Sequence, residues 1–297
     1  MYNVSRFILP VIDNCGPFVD KIYLTWSEFP WSEYNASARG KYKNPTPAEI
    51  IESSPWRSKI ELIKGEWRNE VDQRNEVLDR ARAEGFDWMI VQDADEFYTK
   101  ADYTKNLTFM AAHPECDFMK AKWMVFWKTT DYIVDHWVDG IRANCENYAV
   151  NLRRKARFHA RRLVDQPTFT YVPGLCCHLS FVLSDEEVSE KLATWGHAQE
   201  TCPEIWFERK WRYWTLSTKG LCPVGHPATY WRAVLFNGEK PESFALIDVP
   251  PLVIQRPPFT KGIWWRLDDY KHLVHLVLGR AWFKIRGRSY SHLPAKT

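Results

Sequence analysis

Two carboxylates one residue apart, Asp93 and Asp95, follow the apolar run Trp88-Met89-Ile90-Val91. Hard oxygen donors in such a pair suit Mn²⁺ or Mg²⁺, whose coordination shell a diphosphate readily completes. The metal would neutralise charge on a departing diphosphate. If the apolar run is a strand that feeds straight into Asp93, side chains two apart point to one side. Both carboxylates then face one point, and Glu96 faces away as a structural residue. A calcium loop of the EF-hand kind starting at Asp93 would need Gly sixth and Glu twelfth; Tyr98 and Thr104 stand there, which excludes it. A nucleophilic Asp at a strand end, as in a phosphohydrolase, stays open, as does a solvated turn.

A second polar feature precedes this one. Val71, Leu78 and Ala81 mark the buried stripe of a helix, and Arg74 and Asn75 lie inside that stripe. A buried guanidinium needs an anion. Its partner is either a protein carboxylate, Asp93 included, or a donor phosphate; beside Asp93 and Asp95 the pattern favours a donor site.

The elements that would position these residues read as alternating strands and helices. Lys21 to Trp26, Ile60 to Ile63, Asp87 to Gln92 and Phe118 to Trp127 are strand-like, and Arg68 to Arg82 is a helix ended by Gly85. Thr46 with Glu49 reads as a capping box, as does Ser184 with Glu187, whose helix carries the stripe Val188, Leu192, Trp195. His178 to Val182 is a further strand, Pro203 to Leu216 a helical stretch, and Gly220 to Thr260 loop. Strands separated by helices predict an α/β fold with a mostly parallel sheet flanked by helices.

Composition sets the frame. The chain has 297 residues, 45% hydrophobic and 26% charged, enough for one large domain with a sizeable core. A net charge of +3 and the lack of a domain-wide basic patch argue against nucleic acid. Seven scattered cysteines, without a C-x-x-C pair, read as reduced structural thiols in the cytoplasm. No secretory leader is visible at Met1, and no segment approaches the roughly 18 apolar residues of a membrane span. Sixteen tryptophans suit either a packed core or a sugar-stacking cleft. A basic, aromatic extension, residues 251–297, follows the main domain, residues 1–250. It either packs on that domain or lies on an anionic membrane surface, peripheral at the inner membrane face.

The segment Gln73-Arg74-Asn75, then Gly85-Phe86-Asp87-Trp88 and Gln92-Asp93-Ala94-Asp95-Glu96-Phe97, resembles the core of family 2-like GT-A glycosyltransferases of the bacterial type that contains Asp-Ala-Asp-Glu-Phe. Cys177-His178-Leu179-Ser180-Phe181, Ser184 to Val188, Lys191-Leu192 and Gly196-His197-Ala198 form a second similar block, and Trp206, Trp211 and Pro223 to Pro227 continue it. The likeness covers roughly residues 1–250.

It implies a GT-A-like, Rossmann-like domain that moves a sugar from a nucleotide-sugar donor to a carbohydrate or lipid-linked acceptor, with inversion. Asp93 and Asp95 would then hold the divalent metal and diphosphate, His178 would complete the metal site, and Arg74, Asn75 and Asp93 would bind the donor. Inversion requires a general base for the acceptor hydroxyl, and Asp185 at a helix start is the candidate, with Glu186 second. His197, at a helix end, fits a capping role better. Met1 to Pro10 reads as the helix that follows the first GT-A strand, so that strand is expected to be missing. The alternatives are a non-catalytic carbohydrate-binding relative, an inactive fragment truncated at its N-terminus, or a metal-dependent phosphohydrolase.

Overall fold

The computed structural model describes residues 5–33, 41, 43–135, 144–195, 203–223 and 230–265. In chain order the elements are α1 (Ser5–Cys15), β1 (Ile22–Trp26), α2 (Ala48–Glu52), β2 (Ile60–Lys64), α3 (Glu70–Ala83), β3 (Trp88–Ile90), β4 (Glu96–Phe97), α4 (Lys100–Ala112) and β5 (Phe118–Trp127). They continue with β6 (Thr129–Asp135), β7 (Asn144–Asn151), β8 (Phe158–Ala160), β9 (Leu163–Val164), β10 (Phe169–Phe181), α5 (Asp185–Thr194), α6 (Pro203–Trp206) and β11 (Arg232–Leu235). Gly196-His197-Ala198, Val224 to Pro227 and the basic tail from 266 onward lie outside the described residues.

The expectation of a mostly parallel, Rossmann-like sheet is overturned. The main sheet has seven strands, and all its pairings but one are antiparallel: β3 with β7, β7 with β5, β5 with β6, β6 with β11, and β10 with β4. Only β5 and β10 run parallel within it, while β1 and β2 form a separate parallel pair. The reason lies in residues 129–164, where β6 to β9 follow β5 with no helix between them among the described residues. Without a crossover helix, successive strands must reverse.

Several local expectations hold. Asn69 caps α3 by accepting from the Asp72 N–H, and Gly85 follows the helix with a φ of +83°, a left-handed conformation that glycine adopts without strain. Ser184 and Glu187 form the reciprocal capping box of α5. At α2 the box does not form: Pro47 occupies the cap position, and Thr46 Oγ1 accepts only from the Ala48 N–H, at 3.4 Å. The stretch from Pro203 is α6 running into a π-helical turn, Phe207–Arg212.

Tryptophan serves mainly as core. Trp127, Trp206, Trp211 and Phe181 meet at centroid separations of 5.1 to 6.5 Å; such pairs contribute roughly 0.5–1.5 kcal/mol each beyond burial. The adjacent Cys176 and Cys177 point to opposite faces of β10 and enter different cores, one with Tyr98 and Tyr148, the other with Phe97 and Trp127. Both are free thiols. Among the described residues, no helix is long and apolar enough to cross a membrane.

Candidate active site

The segment between β3 and β4 carries Asp93 and Asp95, and it is not extended. Its start is tied to β7 by the Val91 N–H donating to Tyr148 O (2.8 Å), and its end to β10 by the Leu179 N–H donating to Asp95 O (2.7 Å). Between them the Glu96 N–H closes a turn onto Asp93 O at 3.0 Å, and Gln92 Nε2 donates to Glu96 O at 2.6 Å. Asn14 of α1 braces the far side, exchanging hydrogen bonds with the Tyr98 backbone. Because Ala94 and Asp95 form a turn, the pleat argument for two convergent side chains does not apply. Each carboxylate has its own partners.

Asp93, 36% exposed, lies 3.3 Å from Arg74 Nη2 and 3.5 Å from Arg162 Nη1. Partial burial works against its ionisation, but the two guanidinium groups outweigh this and hold the carboxyl well below its ordinary value. Arg74 also pairs with Glu70 one turn earlier, so protein carboxylates supply the anion its stripe position demanded. Asn75 is committed elsewhere. Its amide donates to Phe158 O (2.9 Å) and accepts from the Phe158 N–H (3.1 Å), which fastens β8 to α3.

Asp95 is the unusual group. Only 1% of it is exposed, and neither carboxylate oxygen has a hydrogen-bond partner. Its neighbours are His178 Nε2, 3.3 Å away, and Lys191 Nζ, 3.5 Å away. Burial opposes the charge, yet His178 and Lys191 prevail and lower its pKa. Lys191 is itself buried, donating to Ser180 O and Oγ at 2.7 Å each. His178 Nδ1 is buried without a hydrogen bond, and its ring lies 4.2 Å from the Trp123 ring.

Beneath them sits Arg162, in the turn between β8 and β9. It holds Glu96 through both guanidinium nitrogens, and donates to Asn147 O at 2.7 Å and Val91 O at 2.5 Å. Burial pushes the Glu96 carboxyl up to about 7 against Arg162. Burial also opposes the Arg162 charge, but Glu96 and Asp93 overcome it and raise its pKa. These directions pull apart, and the two-pronged geometry decides for an ionised pair. Glu146 of β7 shares this field; burial raises its pKa, against Arg162 and Arg74.

Arg162, Lys191 and Glu146 were not foreseen. Lys191 was findable, since it stands three residues after Val188 in the apolar stripe of α5, the same signal that marks Arg74. Arg162 lies in a run with Arg153, Arg154, Arg157 and Arg161, and nothing in the sequence separates it from them.

Asp185 lies in a different cluster. Its Oδ1 accepts from Trp211 Nε1 at 2.8 Å and is 3.9 Å from Lys128 Nζ. Six residues along α5 separate it from Lys191, a rise of about 9 Å.

Toward a divalent cation Asp95 offers two buried oxygens, His178 stands beside it, and Asp93 lies two residues earlier in the chain with partners of its own. No group of three His, Cys, Asp or Glu side chains forms a ready cage among the described residues. Mn²⁺ or Mg²⁺ sites commonly use one or two carboxylates and take phosphate oxygens for the rest. Three cations, Arg74, Arg162 and Lys191, face five carboxyl groups, Glu70, Asp93, Asp95, Glu96 and Glu146, so the cluster has an excess of acidic groups. A separate cleft of about 500 Å³ lies at the N-terminal ends of β1 and β2, lined by Lys21, Lys59, Glu61 and Phe86. Lys21 there is held by Glu61 and Glu84, and Lys59 donates to the Gly16 and Val19 carbonyls. The chain matches no protein-family model, and comparison with curated proteins gives no match.

Proposed function

We propose that the protein is a metal-dependent glycosyltransferase that moves a sugar from a nucleotide-sugar donor to a carbohydrate or lipid-linked acceptor, with inversion. The observation that carries this reading is Asp95: a fully buried carboxylate whose oxygens make no hydrogen bond, set between His178 and Lys191. Such a costly arrangement belongs to a working site more than to a structural one. Bound Mn²⁺ or Mg²⁺ would supply charge neutralisation at the departing diphosphate.

The chain's own residues have distinct parts. Asp93, Asp95 and His178 would hold the metal, which would supply charge neutralisation. Arg74, beside Asp93, would donate to a donor phosphate oxygen. Asn75 acts at one remove, by fixing β8 and hence the turn that carries Arg162. Asp185 accepts the proton of the acceptor hydroxyl as its oxygen bonds to the anomeric carbon and the bond from that carbon to the diphosphate oxygen breaks.

A cytoplasmic protein touching the inner membrane face fits the C-terminal residues. Phe259 and Trp264 are 83% and 70% exposed, and seven Lys or Arg against two Asp follow from 266 onward.

The test is turnover of UDP- and GDP-sugars with Mn²⁺, with and without glycan acceptors. Nucleoside diphosphate release at least tenfold faster with an acceptor is expected. Equal release without one would replace the transferase with a hydrolase.

A further inference from the structure

The hairpin corner between β5 and β6 holds a lysine in an unfavourable place. Lys128 has a φ of +64°, a left-handed conformation that costs an L-residue free energy and that glycine adopts freely. Its backbone is locked there by the N–H donating to Phe181 O at 2.7 Å. The side chain is only 9% exposed, and its ammonium lies 3.6 Å from the centre of the Trp211 ring. Its one charged neighbour among the described residues is Asp185, at 3.9 Å. No hydrogen-bond acceptor reaches the ammonium among those residues. The Trp211 ring face stabilises the charge, and the ammonium keeps its three donors for a ligand. Backbone strain at a residue that presents free donors marks a candidate functional position.

The location agrees. β5 and β10 are parallel, so Lys128, just after β5, and Asp185, just after β10, lie at the same carboxyl edge. The chemistry of the pair is selective. Lys128 can only donate and the ionised Asp185 can only accept. An anionic ligand would meet Asp185 beside the ammonium and be repelled. A pair of adjacent hydroxyls satisfies both, one accepting from Lys128 and its neighbour donating to Asp185. Trp211 Nε1 fixes the carboxylate in place for this.

We propose that Lys128 and Asp185 form the acceptor subsite and bind two adjacent hydroxyls of a neutral sugar. This rests on the transferase reading and sharpens it: the hydroxyl on Asp185 is the one that reacts, and its neighbour is held by Lys128. Burial lowers the Lys128 pKa to about 8, against the pull of Asp185, so the amine is open to acylation in mild base.

Two measurements test it. In ligand-observed NMR, methyl glycosides of glucose, galactose and mannose are added at millimolar concentration to the wild-type protein and to Lys128→Gly, which keeps the left-handed corner without strain. At least one glycoside should show saturation transfer that falls at least fivefold in the variant, while Mn²⁺-dependent UDP binding stays unchanged. On the wild type alone, the same glycoside should slow acetylation of Lys128 at least threefold, read by peptide mass spectrometry. If UDP binds and no glycoside does, or if glycoside binding survives Lys128→Gly, the subsite is overturned and the transferase reading stands. If neither UDP nor any glycoside binds, both fall.

Discussion

Arg162→Met is expected to cost about 3–5 kcal/mol of stability, because it leaves Glu96 buried and uncompensated. Glu96 is fully buried, and Arg162 is its only ion-pair partner among the described residues. The loss reaches further than one pair. Arg162 also ties Val91 O and Asn147 O together, so it joins the start of the Asp93–Asp95 turn to β7. Urea denaturation at pH 7 reads the cost as a lower midpoint. A double variant, Arg162→Met with Glu96→Leu, should recover part of the loss, since an apolar pair removes the stranded charge. A single-variant loss below about 1 kcal/mol would mean that Glu96 is already neutral in the folded protein, in keeping with its upward shift, and that the pair adds little.

Asp95→Ala should have the largest effect on function. It removes the two buried oxygens without hydrogen bonds while leaving Lys191 its bonds to Ser180. Loss of a metal that supplies several kcal/mol of charge stabilisation corresponds to a fall in turnover of about 10³-fold, at 1.36 kcal/mol per tenfold. Lys128→Gly, by contrast, should leave the donor KM unchanged and raise the acceptor KM. Steady-state assay of the two variants with donor and acceptor each varied separates these effects. Turnover by Asp95→Ala within tenfold of wild type would remove Asp95 from the metal site.

Much of the local structure was legible in the sequence. The strands around Tyr23 and Val125 are continuous apolar runs, and the capping residues of α5 name its first turn. Sheet direction was not legible, for a physical reason. β7 reads Asn-Cys-Glu-Asn-Tyr-Ala-Val-Asn, too polar to suggest a strand buried at its centre. Asn147 and Asn151 are buried there because their amides bind loop carbonyls: Arg162 O for one, Pro114 O and Cys116 O for the other. Those partners are distant in sequence, so no local pattern announces them.

The site was legible in part. Arg74 meets Asp93 and His178 meets Asp95, at the two ends of a turn and not across a strand's pleat. Asn75 and Asp185 sit apart from that centre because each is bound by a neighbour that only tertiary structure supplies, Phe158 for one and Trp211 for the other. Arg74 and Lys191 show the more general rule. A cation inside an apolar stripe has to meet a carboxylate, and in this chain both meet the Asp93–Asp95 segment, Arg74 at Asp93 and Lys191 at Asp95.

The most direct test of the central claim is calorimetric titration of UDP and GDP into the wild-type protein, with and without Mn²⁺. Binding of at least one of them only when Mn²⁺ is present, and its disappearance in Asp95→Ala, is the predicted result. Failure of every nucleoside diphosphate to bind with Mn²⁺, or binding that ignores both the metal and Asp95, would contradict it.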